Sequence, residues 1–83
     1  MTIYIGNIPY SLQEADIEEL FAKYGPVISV KIITDKFTHK SKGYGFVEME
    51  NESEAESAIE NINGTDVLGR NLKVNRANPR KNG

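Results

Sequence analysis

The sequence predicts an α+β sandwich in which four antiparallel strands carry two helices on one face. Three observations predict it. Apolar and polar residues fall into six segments whose periods read strand, helix, strand, strand, helix, strand. The chain has 83 residues, a length that suits one domain with one core. It has no cysteine and one histidine, His39. Disulfides, cysteine-ligated zinc and a histidine-based metal site or catalytic triad are therefore excluded, and packed layers must supply the stability. No cofactor is expected.

Residues 2–6 are β-branched and aromatic, and read as a short strand that ends at Pro9, which lacks a backbone donor. From Gln13 to Tyr24 the apolar residues Ile17, Leu20, Phe21 and Tyr24 recur at helical spacing. Glu14 and Asp16 suit the positive end of that helix's dipole. Gly25 is expected as its left-handed cap, and Pro26 prevents continuation. Residues 27–34 form a second strand, with Ile28, Val30 and Ile32 expected on one face. A polar, basic loop follows from Asp35 to Ser41, and a third strand from Lys42 to Glu50. Asn51 then serves as N-cap, with Glu54 as its capping-box partner. The second helix offers Ala55, Ala58, Ile59 and Ile62 to the core, and Gly64 closes it. A turn through Gly69 leads to a last strand, Asn71 to Arg76, with Leu72 and Val74 inward. Residues 1–77 thus make one domain, and residues 78–83 a flexible basic tail. The order is that of the ferredoxin-like βαββαβ sandwich, with the first and third strands central. No segment remains to cover the second face of the sheet.

The net charge of −2 conceals an uneven distribution. Residues 13–24 and 51–63 hold eight acidic residues against one lysine, Lys23. Elsewhere Asp35, Glu48, Glu50 and Asp66 stand against nine lysines and arginines. With both helices on one side, an acidic back and a basic front are expected, and a ligand responds to the local field more than to the total. No apolar run approaches the ~20 residues of a membrane span, so no membrane partner is expected, and a soluble, cytoplasmic monomer is the expected setting.

The third strand is the most informative segment. One of its faces carries Lys42, Tyr44, Phe46 and Glu48, the other Gly43, Gly45, Val47 and Met49. Burying the aromatics would bury two charges of the same parity, which is costly without partners. The uncharged parity therefore belongs inward, its glycines making room for the helices. In the first strand Ile3 and Ile5 likewise face inward and Tyr4 outward. Tyr4, Tyr44 and Phe46 should form one exposed patch, with Lys31, Lys42 and Lys73 interleaved. A contiguous apolar patch on a small domain marks an interaction site. Rings beside lysines suit unstacked bases and phosphates.

Residues 42–49, Lys-Gly-Tyr-Gly-Phe-Val-Glu-Met, resemble the octapeptide ribonucleoprotein motif K/R-G-F/Y-G/A-F-V-x-F/Y at six of its seven specified positions. Residues 3–8, Ile-Tyr-Ile-Gly-Asn-Ile, are similar to the hexapeptide motif of the same family, the RNA recognition motif. The resemblance runs from residue 2 to about 77 and departs only at Met49, on the core face, where the family prefers an aromatic. It implies that Tyr4 and Phe46 each stack on a base, that Tyr44 packs on sugars and that Lys42 meets phosphate. Asn75, Arg76 and the backbone of Ala77 and Asn78 would read base edges. Two stacked bases and one charge contact suggest about −6 to −8 kcal/mol, or micromolar affinity and weaker. The ligand implied is single-stranded RNA, with single-stranded DNA as the alternative. The basic loop (Lys36, His39, Lys40) and the tail (Arg80, Lys81) are further candidates for phosphate contact. Glu48 is a candidate acceptor from a base amino group.

Two other functions fit the sequence less well. A protein-docking domain of this fold would have lost or covered its sheet aromatics. An acylphosphatase-type hydrolase needs a cationic phosphate loop, and residues 7–10 contain no cation. The chain most resembles the small single-motif RNA-binding proteins of bacteria, with plant and eukaryotic glycine-rich relatives second.

Overall fold

A computed structural model describes residues 1–77. The expected tail, with Asn78, Arg80 and Lys81, lies outside the described residues. Strands β1 (Thr2–Gly6), β2 (Val27–Thr34), β3 (Ser41–Met49) and β6 (Lys73–Arg76) form one antiparallel sheet in the order β2-β3-β1-β6. Helices α1 (Glu14–Ala22) and α2 (Glu52–Ile62) complete the α+β sandwich. Two-residue strands β4 (Asp66–Val67) and β5 (Arg70–Asn71) pair as a separate hairpin that the sequence reading missed. Among the described residues, no helix is long and apolar enough to cross a membrane.

The core lies between sheet and helices. Ile3 and Ile5 of β1, Ile32 of β2, Val47 and Met49 of β3, and Leu72 with Val74 of the last segment meet Ile17 and Phe21 of α1 and Ala55, Ala58 and Ile62 of α2. Ile3 and Ile5, then Gly45, Val47 and Met49, and Leu72 and Val74 alternate with outward residues because the pleat turns every second side chain inward. Two of the three buried positions of α2 are alanines, which keeps the helix surface low against the sheet. Asn51 caps α2 as expected, its side chain accepting from the Glu54 amide at 2.9 Å. Asp16 accepts from the Gln13 amide at 2.9 Å at the start of α1. At the outer edge of β6, Asn63 accepts from the Val74 amide at 2.9 Å, so a buried donor that lacks a strand partner is satisfied by the end of α2.

Four local expectations need correction. Ile28 is 60% exposed. The register passes from Val27↔Met49 to Ser29↔Glu48, so Ile28 is the extra residue of a bulge and takes no inward place. Val27, Val30 and Ile32 face the core side instead. Gly25 is not a left-handed cap, because α1 ends at Ala22 and the glycine's φ is not positive. Its bare α-carbon lies against a side chain: a Cβ there would sit 2.7 Å from Cδ of Glu54, which would have to shift. The strand glycines do not make room for helices. Gly43 stands at φ +89, where an added Cβ would meet nothing within 4 Å, at the shift of the ladder between Ile32 and Thr34. Gly45 lies against β2, where a Cβ would press on the Lys31 carbonyl oxygen and sit 3.0 Å from the Ile32 α-carbon. Finally, Arg76 turns to the helix side, as described next.

Candidate functional site

The sheet face opposite the helices is built in cross-strand rows. Register places Lys31, Phe46, Tyr4 and Asn75 side by side across β2, β3, β1 and β6. The adjoining row holds Tyr44, Gly6 and Lys73. The row on the other side holds Ser29, Glu48 and Thr2. Neighbours within a row are about 4.8 Å apart across the strands. The three rings therefore converge: Tyr4–Phe46 centroids are 6.0 Å apart, Tyr4–Tyr44 6.2 Å and Tyr44–Phe46 6.3 Å. Tyr44 and Phe46 meet edge to face at 89°, whereas Tyr4 and Tyr44 are inclined by only 30°. All three rings are half-buried, each leaning on the others, and the outward-facing Lys31, Lys73 and Asn75 around them are exposed. The structure thus brings together six of the eight expected site residues by ladder pairing: Tyr4, Tyr44, Phe46, Lys31, Lys73 and Asn75.

Lys42 is exposed but lies beyond the regular ladder, at the irregularity beside Gly43. Arg76 is not brought to this face. The alternation that buries Leu72 and Val74 also turns Arg76 toward α2, where its guanidinium bonds Glu52 at 3.0 Å and Glu56 at 2.6 Å. That parity was readable in the sequence from Leu72 and Val74. Glu48 has partners within the protein. It accepts from the Thr2 hydroxyl and, at 3.1 Å, from the Met1 ammonium. These two contacts hold its carboxyl below the usual range, the Thr2 bond contributing most. Paired in this way, the carboxylate presents little unbalanced negative charge to a ligand.

Two features of the site had no place in the sequence reading. Gly6 is buried, and a Cβ on it would lie 2.6 Å from the Tyr4 hydroxyl oxygen and 3.0 Å from its ring. Tyr4 therefore leans along its own strand over Gly6, toward Tyr44, and the glycine leaves the space it occupies. A glycine inside a strand pattern is the sequence signal for such a close approach. At the end of β1, Asn7 donates to the Asn71 carbonyl at 2.9 Å and accepts from Arg70 at 3.1 Å. Arg70 in turn sits 5.4 Å over the Tyr10 ring. Those contacts pin the β4–β5 hairpin to the sheet beside Lys73. Asn7 adopts φ 58 to make them, a conformation asparagine tolerates better than most residues.

Comparison with known proteins found similarity along nearly the whole chain. Residues 3–73 match the family model described as RNA recognition motif. RbpA of Synechocystis sp., named provisionally as an RNA-binding protein, is 48% identical over 82 residues, covering 99% of this chain and 81% of that one. The crystal structure of RNA binding protein PG1 superposes with a TM-score of 0.92 at 44% identity, covering 99% of both chains. The structure of the Rna15 RRM with bound RNA (GU) matches with a TM-score of 0.84 at 37% identity, over 94% of this chain and 83% of that one.

Proposed function

The chain belongs to the RNA recognition motif family, and from that premise we propose that it binds short single-stranded RNA on the open face of its sheet, as a module that binds without catalysing. The observation that carries the reading is the ring triangle at 6.0–6.3 Å, flanked in the same rows by Lys31 and Lys73. Tyr4 and Phe46 offer faces to two bases, and Tyr44 packs beneath the sugars between them. Lys31, Lys42 and Lys73 take phosphates, and Asn75, next to Tyr4 in the ladder, reaches a base edge. Every base has a π-face, so such a platform holds unpaired strands with modest sequence preference. Single-stranded DNA can occupy the same face, since stacking requires no 2′-hydroxyl. Arg76 has no part in this reading while Glu52 and Glu56 hold it. We further propose that the protein acts in the cytoplasm as a monomer.

Amide shifts during titration with short RNA oligomers test the assignment. Shifts are expected along β1, β3 and the outward positions of β2 and β6. Phe46→Ala and Tyr4→Ala should each weaken binding by about 1–3 kcal/mol. Shifts confined to α1 and α2, or alanine variants that bind as tightly as the parent, would overturn it.

A further inference from the structure

We propose that Phe37, on the loop between β2 and β3, is a further base-stacking site that carries the bound strand off the sheet past Tyr44. The inference rests on the RNA-binding reading of the sheet. Phe37 is 91% exposed, more than Tyr10, Ile28 or Leu68, so its ring adds nothing to the core. A single exposed apolar side chain is ordinary; the loop that holds this one is not. The Asp35 carboxylate accepts from the Phe37 amide at 2.8 Å and the Thr38 amide at 3.0 Å. The Asp35 backbone closes the loop through Asp35 N to Lys40 O at 2.8 Å and His39 N to Asp35 O at 2.9 Å. His39 is driven to φ 61 to complete the turn, a conformation that costs free energy for any residue but glycine. The backbone that presents the ring is thus held in a closed turn. A nucleobase stacking there meets a loop that is already folded, which lowers the cost of binding.

Charge and position point to the same ligand. Lys36 and Lys40 are exposed within the turn, and Lys42 is close enough to help hold Asp35 ionised. The ring therefore has lysines beside it, the pairing of π-face and cation found on the open sheet. The loop leaves the sheet at the Thr34↔Ser41 pair, three residues and about 10 Å of strand from Tyr44. A strand crossing Phe46 and Tyr44 and continuing in that direction would reach the loop next.

The test is a length series of fluorescein-labelled oligouridylates and oligoadenylates of two to eight nucleotides, bound to the parent, Phe37→Ala, Phe37→Trp and Phe46→Ala chains. Phe37→Ala should match the parent on the dinucleotides and fall about 5- to 150-fold below it on the longer oligomers. Phe37→Trp should restore the loss, and the melting temperature of both loop variants should stay at the parent value. Phe46→Ala should weaken binding at every length. Phe37→Ala binding like the parent at all lengths, or a loss that tryptophan does not restore, would overturn the loop site while leaving the sheet reading intact. A loss in Phe37→Ala with none in Phe46→Ala would reject the platform and, with it, the strand path from the sheet to Phe37. A parent chain that binds no oligomer in either series rejects both.

Discussion

A methyl group on Gly45 would press on the carbonyl oxygen of Lys31 and lie 3.0 Å from the α-carbon of Ile32. Both are backbone atoms of the neighbouring strand, so neither can rotate away as a side chain would. Gly45→Ala should therefore cost about 1–3 kcal/mol by overpacking, read as a lower urea midpoint. Since Lys31 and Phe46 flank the contact, RNA affinity should fall with it; an unchanged midpoint would show that the strands separate freely. Two carboxyls make a second prediction. Asp35 is held low chiefly by the amides of Thr38 and Phe37, and Glu48 by Thr2 and the Met1 ammonium. Each folded-state pKa lies below its unfolded value. The stability each supplies is thus present in full above the ordinary carboxylate range, about 4, and drains as the pH falls through the depressed folded values. Carboxyl carbon titration should place the Glu48 midpoint below the ordinary glutamate value. Glu48→Gln should lose less stability than the parent between pH 6 and pH 3. A Glu48 midpoint at or above the ordinary value would refute the pairing.

At the scale of elements, the β4–β5 hairpin turns through Leu68 and Gly69, at φ 51 and φ 88. Positive φ at both central residues is the type I′ requirement, which favours Asn-Gly over Leu-Gly. Leu68 is also 69% exposed, so little packing is lost on replacing it. Leu68→Asn should stabilise the protein by roughly 1 kcal/mol, seen as a higher urea midpoint; a lower midpoint would mean that the leucine packs in a way its exposure hides. The same hairpin shows what the sequence could and could not convey. Strands of two residues are too short to display a period, so only Gly69 signalled a turn. By contrast β3, with nine residues, displayed its parity fully: Lys42 and Glu48 made it costly to place Tyr44 and Phe46 inward, and the ladder agrees. Ile28 shows the opposite case. The bulge that displaces it exists only in the pairing of β2 with β3, and no pattern within residues 27–34 contains it. Arg76 was legible, because it shares the parity of Leu72 and Val74, which face inward. Gly45 was expected to make room for the helices and Gly6 carried no expectation, yet each admits a neighbour from within the sheet itself, β2 in one case and Tyr4 in the other.

For the molecule as a whole, charge is sorted by face, and the sorting makes binding to a polyanion possible at a net charge of −2. The helices carry most of the acid, and Glu52 and Glu56 neutralise Arg76 on their own side. Glu48, the one carboxylate in the rows of the open face, is occupied by Thr2 and the Met1 ammonium. Lys31 and Lys73 stand at opposite edges of that face, with Lys42 near its end. A single strand that places a phosphate at each of the three lysines releases about three counterions. On that count log affinity should fall with log salt at a slope near −2, so raising salt from 50 to 200 mM weakens binding roughly 20-fold. Stacking on Tyr4 and Phe46 carries no such dependence. In the double variant Lys31→Gln, Lys73→Gln the slope should shrink to about −0.7, while the further loss caused by Phe46→Ala keeps its size at every salt concentration. Equilibrium binding across a salt series measures both quantities in one experiment. A parent slope near zero would mean that the lysines do not touch phosphate. A Phe46→Ala loss that vanishes at high salt would mean that the ring acts by placing charge and holds no base.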